Sequence, residues 1–277
     1  MMHRRFPVAR VTALVAVAVG LFMVSRDAGR PHWRALRPGV EFGTLRGEPW
    51  CRGGSAAIAA LRLDPARVRI RVHHYRRERV THPPDIVAWQ KRTGALAVFN
   101  AGQFYPDFSY MGLLVSDGEV VSRRVHPTFR AALVAGPSDG SRRARVVDLQ
   151  REPLDPDSLH WDEVAQSFML FDRSGMVRVR RSDQIANRTV VAEDRAGRLV
   201  VLTSEGAYTL WDLAHLLQAA PLQLAHAMAM DGGREAELVV SAGRFRYATF
   251  GQWDGARGAD PEGRRVPLPA VVTVSAP

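Results

Sequence analysis

Apolar residues fall at every second position in RVRIRV from Arg67, which follows the sheet-like run AAIAALRL from Ala56 and a turn at Asp64-Pro65. That period is the signature of strands with one face toward a core. The pattern then lengthens. Pro83-Pro84-Asp85 suits a helix start, Ile86, Val87 and Trp89 form an apolar stripe, and Gly94 supplies a stop, so a short helix is predicted ahead of the strand ALAVF, which ends at Asn100. After the aromatic-rich loop AGQFYPDFSYMG, the segment GLLVSDGEVVS reads as a hairpin, because Asp117-Gly118 favours a two-residue turn.

Residues 134–156 are dense in Gly, Ser, Asp, Pro and Arg and read as a surface excursion. SFMLF and MVRVR make a second expected hairpin around DRSG, and RTVVAED and RLVVLT a third around RAG. Thr209 can cap a helix whose Leu210, Leu213, Ala214 and Leu217 share one face, with Asp212 favourably placed in the first turn. HAMAM leads to Asp231, and AELVV, RFRYATF and PAVVTV close the chain. Many strands, few helices and mostly hairpin connections predict an α+β fold: one domain, residues 30–277, of mixed, largely antiparallel sheet with a few packed helices.

Ahead of that domain the chain has a basic start and an apolar run at residues 11–24, bounded by Arg10 and Arg26. The run has the length of a signal-peptide core and falls short of the roughly 20 residues that cross a bilayer comfortably. Residues 1–29 therefore read either as a signal peptide or as an N-terminal membrane anchor. Both imply an exported protein, periplasmic or extracellular, with anchoring to the inner membrane in the second case. Cys51 is the only cysteine, so no intrachain disulfide or thiolate metal cluster can form.

The formal charge of +10 would ordinarily raise nucleic acid as a partner. Yet of the 38 basic residues only Lys91 is a lysine, a bias that points to a GC-rich coding composition, and the arginines are scattered through strand-like segments rather than gathered in a stripe. Nucleic-acid binding is not expected. A basic envelope protein that holds acidic polymers through arginine charge stays open as a rival reading.

Candidate chemistry centres on Asn100, Arg188, Glu205 and Asp231, each at or near a strand boundary where a side chain meets solvent beside turning backbone. Turn chemistry explains Asn and Asp at such places equally well, and Gly232-Gly233 could simply permit a bend. Adjacent His73 and His74 would point to opposite faces of a strand, which excludes a shared metal ion. His215 and His226 read as packing or surface residues. Phe104, Tyr105, Phe108 and Tyr110 are either a sugar-stacking cluster or loop anchors. Ser167 and Ser204 lack a nucleophile-elbow context.

Four segments together resemble the phosphodiester glycosidase superfamily. VFNAGQFYPDFSYMGLLVSDGEVV is similar to its N-G-G-F-F or N-A-G-M-F segment with the D-G turn that follows, the N-A-G-x-F form being that of a bacterial subgroup. QSFMLF with DRSG resembles its Q-S-G-P-x-L segment, NRTVVAEDRAGRLVVL its R-T or R-N strand pair, and TLWDLAHLL followed by AMAMDGG its helix and N-L-D-G-G turn. Order and spacing agree from about Val40 to the C-terminus.

The resemblance implies hydrolysis of a glycosyl phosphodiester or glycoside in a polysaccharide or cell-envelope polymer, with no cofactor and no metal. It implies that Asp231 serves the oxocarbenium-like centre, that Arg188 binds the phosphate with its planar fork, that Glu205 is the second carboxylate, and that Asn100 belongs to the same catalytic group. Gln166, Gln103 and Thr189 would contact substrate, with Gly102, Gly232 and Gly233 letting it approach the backbone. Three departures bear on this. The family's aromatic at the first motif is Gln103, its D-G-R near the helix is Ser204-Glu205-Gly206, and the residues after Asp231-Gly232-Gly233 are Arg234-Glu235-Ala236. A non-catalytic glycan-binding protein of the same fold is the alternative they raise.

Overall fold

The predicted strands assemble into two antiparallel sheets that face each other across one apolar layer. The computed structural model describes residues 31–137, 144–255 and 265–277. The apolar run at 11–24, and the signal or anchor reading of residues 1–29, lie outside the described residues. Among the described residues no helix is long and apolar enough to cross a membrane.

In chain order the elements are β1 (Arg34–Arg37), β2 (Val40–Arg46), β3 (Ala57–Leu63), β4 (Arg69–His74), α1 (Ile86–Thr93), β5 (Ala97–Asn100), β6 (Leu114–Ser116), β7 (Glu119–Ser122), β8 (Ala131–Pro137) and β9 (Ala144–Asp148). They continue with β10 (Trp161–Phe171), β11 (Arg188–Asp194), β12 (Leu199–Ser204), α2 (Leu210–Ala219), β13 (Leu224–Gly232), β14 (Leu238–Ala242), β15 (Phe245–Thr249) and β16 (Ala270–Ser275). The larger sheet runs β1-β2-β3-β12-β11-β13-β10-β6-β7, with β8 and β9 joined to it through β10, and the smaller runs β15-β14-β5-β16-β4.

Val191, Val201, Leu61 and Met228 of the large sheet meet Val72, Phe99, Val240 and Val272 of the small sheet in the central layer. Strand alternation sends the other set outward. Val190, Ala192, Val200 and Leu202 pack under Leu213, Leu216 and Leu217 of α2, while Val98, Val239 and Val271 pack under Ile86 and Trp89 of α1. Both helices form where their caps predict. Asp85 accepts from the Ala88 N–H (2.8 Å), Gly94 closes α1 in the left-handed region (φ 63°), and Thr209 accepts from the Asp212 N–H (2.9 Å).

Four sequence expectations need correction. With two helices against sheets of 11 and 5 strands, the fold is mainly β, and every strand pairing among the described residues is antiparallel, so "α+β" and "mixed" overstate the helical and parallel content. Residues 134–156 are not wholly a surface excursion: β8 holds 134–137 and β9 holds 144–148, with Val134, Val146 and Val147 buried, while 138–143 lie outside the described residues. Turn formers at Gly136-Pro137 masked a strand that packing sustains. The MVRVR segment does not form a strand; only Val177 bridges Phe171. Finally, Asp231 and Gly232 are not a turn after β13 but lie within it.

Candidate active site

The irregular pairing of β13 builds the site. Arg188 pairs with Gly232 and Val190 with Ala229, so Met230 and Asp231 together stand opposite the single residue Thr189. This is a β-bulge, the device by which a strand re-aims a side chain near an active site. Met230 keeps its place in the central apolar layer, and the extra residue brings Asp231 against the end of β5.

Asn100 holds it there. The Asn100 Nδ2 donates to the carbonyls of Asp231 (3.0 Å) and Ala101 (3.1 Å), its Oδ1 accepts the Glu237 N–H (3.2 Å), and the Asp231 N–H donates to the Ala101 carbonyl (3.1 Å). The main chain of Asp231 is thus satisfied by its neighbours. Its carboxyl accepts only the Gly232 N–H at Oδ1 (2.9 Å), so among the described residues Oδ2 carries no hydrogen bond. Burial first, then the nearby Glu235 and Asp254 carboxylates, push this carboxyl up to about 8 against the pull of the Gly232 N–H and Arg188. At neutral pH Asp231 therefore holds its proton.

Arg188 opens β11 and is buried. Its Nε donates to the Tyr208 carbonyl (3.0 Å) and its Nη2 to the Gln184 carbonyl (2.8 Å), which fixes the plane of the guanidinium and turns Nη1 toward Gly232. Gly232 has to be glycine: an added Cβ would sit 3.0 Å from Nη1 and 2.9 Å from the Asn187 carbonyl. Burial lowers the Arg188 pKa to about 10, opposed by Asp231, so the group stays charged while lacking a carboxylate partner within ion-pair distance among the described residues. Gly233 takes φ +80° beside the Asp254 carboxylate.

Glu205 stands on the same side of the large sheet, just past β12. Its carboxylate accepts from Ser55 Oγ (2.9 Å) and Tyr247 Oη (2.8 Å), which reaches across from the small sheet. In the sheet order β12 and β13 flank β11, so the two acids belong to strands about 10 Å apart. Between them, the buried hydroxyls of the cross-strand pair Thr189 and Thr203 have no hydrogen-bond partner.

Other residues expected to touch substrate have different surroundings. Gln166 is a brace: its amide accepts from the Leu113 and His126 N–H groups (2.8 and 3.0 Å) and donates to the His126 and Phe129 carbonyls (3.0 and 2.6 Å), leaving nothing for a sugar. Gln103 donates to the Met230 carbonyl (3.1 Å) and accepts from Ser167 (2.9 Å), so it supports the bulge from behind. At Gly102, a Cβ would lie 2.4 Å from Tyr110 Oη, which itself donates to the Gln166 carbonyl. His73 and His74 do face opposite ways, His73 toward Glu78 and Thr273 and His74 into a site where both ring nitrogens lack partners. Among the described residues no His, Cys, Asp and Glu group of three or more is arranged to hold a metal.

Sequence reading passed over Asn187, the hub of the site. Its side chain donates to the Ser204 and Gly206 carbonyls (2.8 and 3.3 Å) and accepts the N–H groups of Gln252 and Trp253 (2.8 and 2.7 Å), while its own carbonyl takes the Gly233 N–H (2.9 Å). One buried amide thus ties together the Glu205 turn, the Asp231 strand and the segment carrying Asp254. Its position directly before Arg188 was the available signal.

Comparison with known proteins identifies the fold and the family. The phosphodiester glycosidase family model matches residues 93–273. The catalytic domain of zebrafish N-acetylglucosamine-1-phosphodiester alpha-N-acetylglucosaminidase, auto-inhibited by its pro-peptide, superposes with a TM-score of 0.62 at 16% identity, covering 90% of this chain and 87% of that one. A hypothetical protein from Synechocystis gives 0.58 at 12% identity over 91% of this chain and 64% of that one. A search of curated sequences gives no match. With more than half of its length inside the family match, and a fold shared with a solved glycosidase domain, the chain belongs to the phosphodiester glycosidase family, and its activity is that of a glycosidase-type hydrolase.

Proposed function

We propose that the chain cleaves the bond between an anomeric carbon and phosphate in a glycosyl phosphodiester of an exported polysaccharide or cell-envelope polymer. Water adds to the anomeric carbon, the carbon–oxygen bond to phosphate breaks, and a free sugar and a phosphomonoester leave. Arg188 binds the phosphate through Nη1. Asp231 gives its proton to the departing oxygen, a role its raised pKa favours over that of a permanent carboxylate. Glu205, about two strand spacings away, stabilises the cationic sugar and takes the proton of the incoming water. Thr189 and Thr203, whose hydroxyls are buried, line the sheet between the two acids and do not meet the sugar directly. The catalytic unit is residues 30–277, delivered across the membrane by the segment at 11–24, a reading that rests on the sequence alone.

The observation that carries the proposal is the bulge at Met230-Asp231, which sets an uncommitted carboxyl oxygen beside an uncompensated guanidinium. The test is phosphomonoester release from the methyl diester of N-acetylglucosamine 1-phosphate by the full chain. Asp231→Asn should cut turnover by roughly a thousandfold or more, a loss at the upper end of acid catalysis, while the thermal midpoint at pH 7 does not fall, since the amide mimics the neutral carboxyl and needs no proton uptake on folding. Turnover surviving in that variant would remove Asp231 from the mechanism. Glycan binding with no turnover by the unaltered chain would favour the non-catalytic alternative.

A further inference from the structure

The arginines are scattered along the sequence, yet the fold gathers several of them at the end of the sandwich remote from Asp231. β11 starts at Arg188 and β12 ends beside Glu205, so the turn joining their other ends, with Arg195 and Arg198, lies a strand length away, about 20 Å. Leu199, Leu63 and Val40 are register partners across β12, β3 and β2, which brings the β1–β2 turn after Arg37 and the β3–β4 loop with Arg67 to that same end. On the small sheet Tyr247 reaches Glu205, whereas Phe245, two residues back, packs on Phe42 (4.9 Å), so the β14–β15 turn with Arg244 and Arg246 also points away from the site. We infer that this basic end is a docking face for a bilayer containing anionic phospholipid, whichever bond the site cleaves.

Charge carries it first. Arg67 and Arg198 are committed to Asp64 (3.4 Å) and Asp194 (2.8 Å). Among the described residues Arg37, Arg195 and Arg244 face no carboxylate within ion-pair distance, and Arg246 donates only to the carbonyls of Gly243 and Phe245 (2.6 and 2.8 Å). These four side chains are exposed. Elsewhere on the surface, arginines such as Arg62, Arg77 and Arg178 face the carboxylates of Glu41, Glu119 and Asp172. At the catalytic end Glu205, Glu235 and Asp254 accompany Arg188 and Arg234, so no such excess arises there. A depression of about 590 Å³ between β1 and the β3–β4 loop has Arg37, Arg67 and Arg198 on its wall, with room for a phosphate headgroup. Glu41 shares that wall and is already taken by Arg62 (2.7 Å).

The second observation selects a bilayer over a soluble polyanion. The chain carries its own apolar run at residues 11–24, and with that run in a membrane the seven residues leading to Pro31 span at most about 25 Å, which keeps the domain at the surface. A run short of a full span holds weakly, and cations set against anionic headgroups add to it. The same geometry orients the domain. With the basic end on the headgroups, Asp231 and Glu205 stand at the far end, turned toward polymer in the aqueous envelope.

The test is co-sedimentation of the full chain with vesicles of phosphatidylcholine alone and with phosphatidylglycerol added. The full chain should prefer the anionic vesicles, less so at high salt. Changing Arg37, Arg195, Arg244 and Arg246 together to Gln should weaken binding to them about tenfold, with the thermal midpoint kept and binding to neutral vesicles unchanged. Changing four exposed arginines elsewhere, Arg79, Arg130, Arg180 and Arg181, to Gln removes the same charge and should weaken binding less than about threefold. Both variants keep Arg10 and Arg26, so the difference between them reads the domain alone. Equal weakening by the two sets, no preference for anionic vesicles, or a preference that survives loss of the first four overturns the docking face. So does a soluble acidic polysaccharide whose binding needs those four while vesicle binding does not, which would assign this end to a polymer.

Discussion

Two carboxyl groups sit where the sheets meet, and they are used in opposite ways. Glu163 of β10 reaches β4, the edge strand of the small sheet, where its Oε2 accepts the Val72 N–H (2.9 Å) and Ser116 Oγ donates to the Val72 carbonyl (2.7 Å). Oε2 also takes the Asp117 N–H (3.3 Å), and Arg71 approaches Oε1 (3.4 Å). There a side chain serves the backbone, closing an edge that would otherwise bury unpaired groups. At Asp231 the backbone is served by Asn100 and Ala101, and the side chain is released. Burial raises both acids, Glu163 to about 7 and Asp231 to about 8, so a raised pKa by itself does not separate a structural acid from a reactive one. What separates these two acids is the Asp231 oxygen that accepts no hydrogen bond, set beside Arg188.

If that contrast is right, Asn100 is the residue on which it turns. Asn100→Ala leaves the Asp231 carbonyl and the Glu237 N–H without their side-chain partner in a buried setting, which should cost about 3 kcal/mol of stability. It should also lower kcat by about a hundredfold, because the bulge loses its anchor, with KM changed less than threefold. Denaturant unfolding alongside steady-state kinetics reads both numbers. A variant that unfolds more easily but turns over normally would mean that the carboxyl is aimed by the bulge alone.

Much of this arrangement can be read from residue order, and the unreadable part has a physical cause. Asp117-Gly118, Gly94 and Thr209 act locally, so the β6–β7 hairpin, the end of α1 and the start of α2 follow from the sequence. Asn100, Arg188, Glu205 and Asp231 stood out because strand ends collect exposed chemistry. Gln166 drew the same attention for its neighbourhood, yet its amide is consumed by loop backbone, a pairing 40 and 53 residues distant that no local pattern encodes. Asn187 was overlooked for the same reason, since its partners lie 17 to 66 residues away. The bulge is a register event between β11 and β13, invisible until both strands are paired.

The proton on Asp231 gives the comparison a kinetic form. The group is neutral below its folded pKa of about 8, held up by burial, Glu235 and Asp254, so a proton-donating Asp231 predicts kcat falling about tenfold per pH unit above that value. Replacing Glu235 with Gln removes one of the charges that hold the proton, and should move this limb to lower pH while leaving the plateau rate within a fewfold of the original. A limb that stays in place would assign the titration to another group.

Glu163 should leave no trace in that profile, and its signature is in stability. Its folded pKa of about 7 exceeds the ordinary 4.5, so the folded chain binds more protons than the unfolded one between those values. Its contribution to stability therefore falls as pH rises through that window, by an amount on the order of 3 kcal/mol at most, and levels off above it. Glu163→Gln keeps an acceptor for the Val72 N–H but cannot ionise, so unfolding of the variant should show a shallower slope, that of Asp231 and Glu237 remaining, while turnover and its high-pH limb stay unchanged. A shifted activity limb in Glu163→Gln would show that the two acids are coupled through the sheets, and the division between a closing acid and a reacting one would fail.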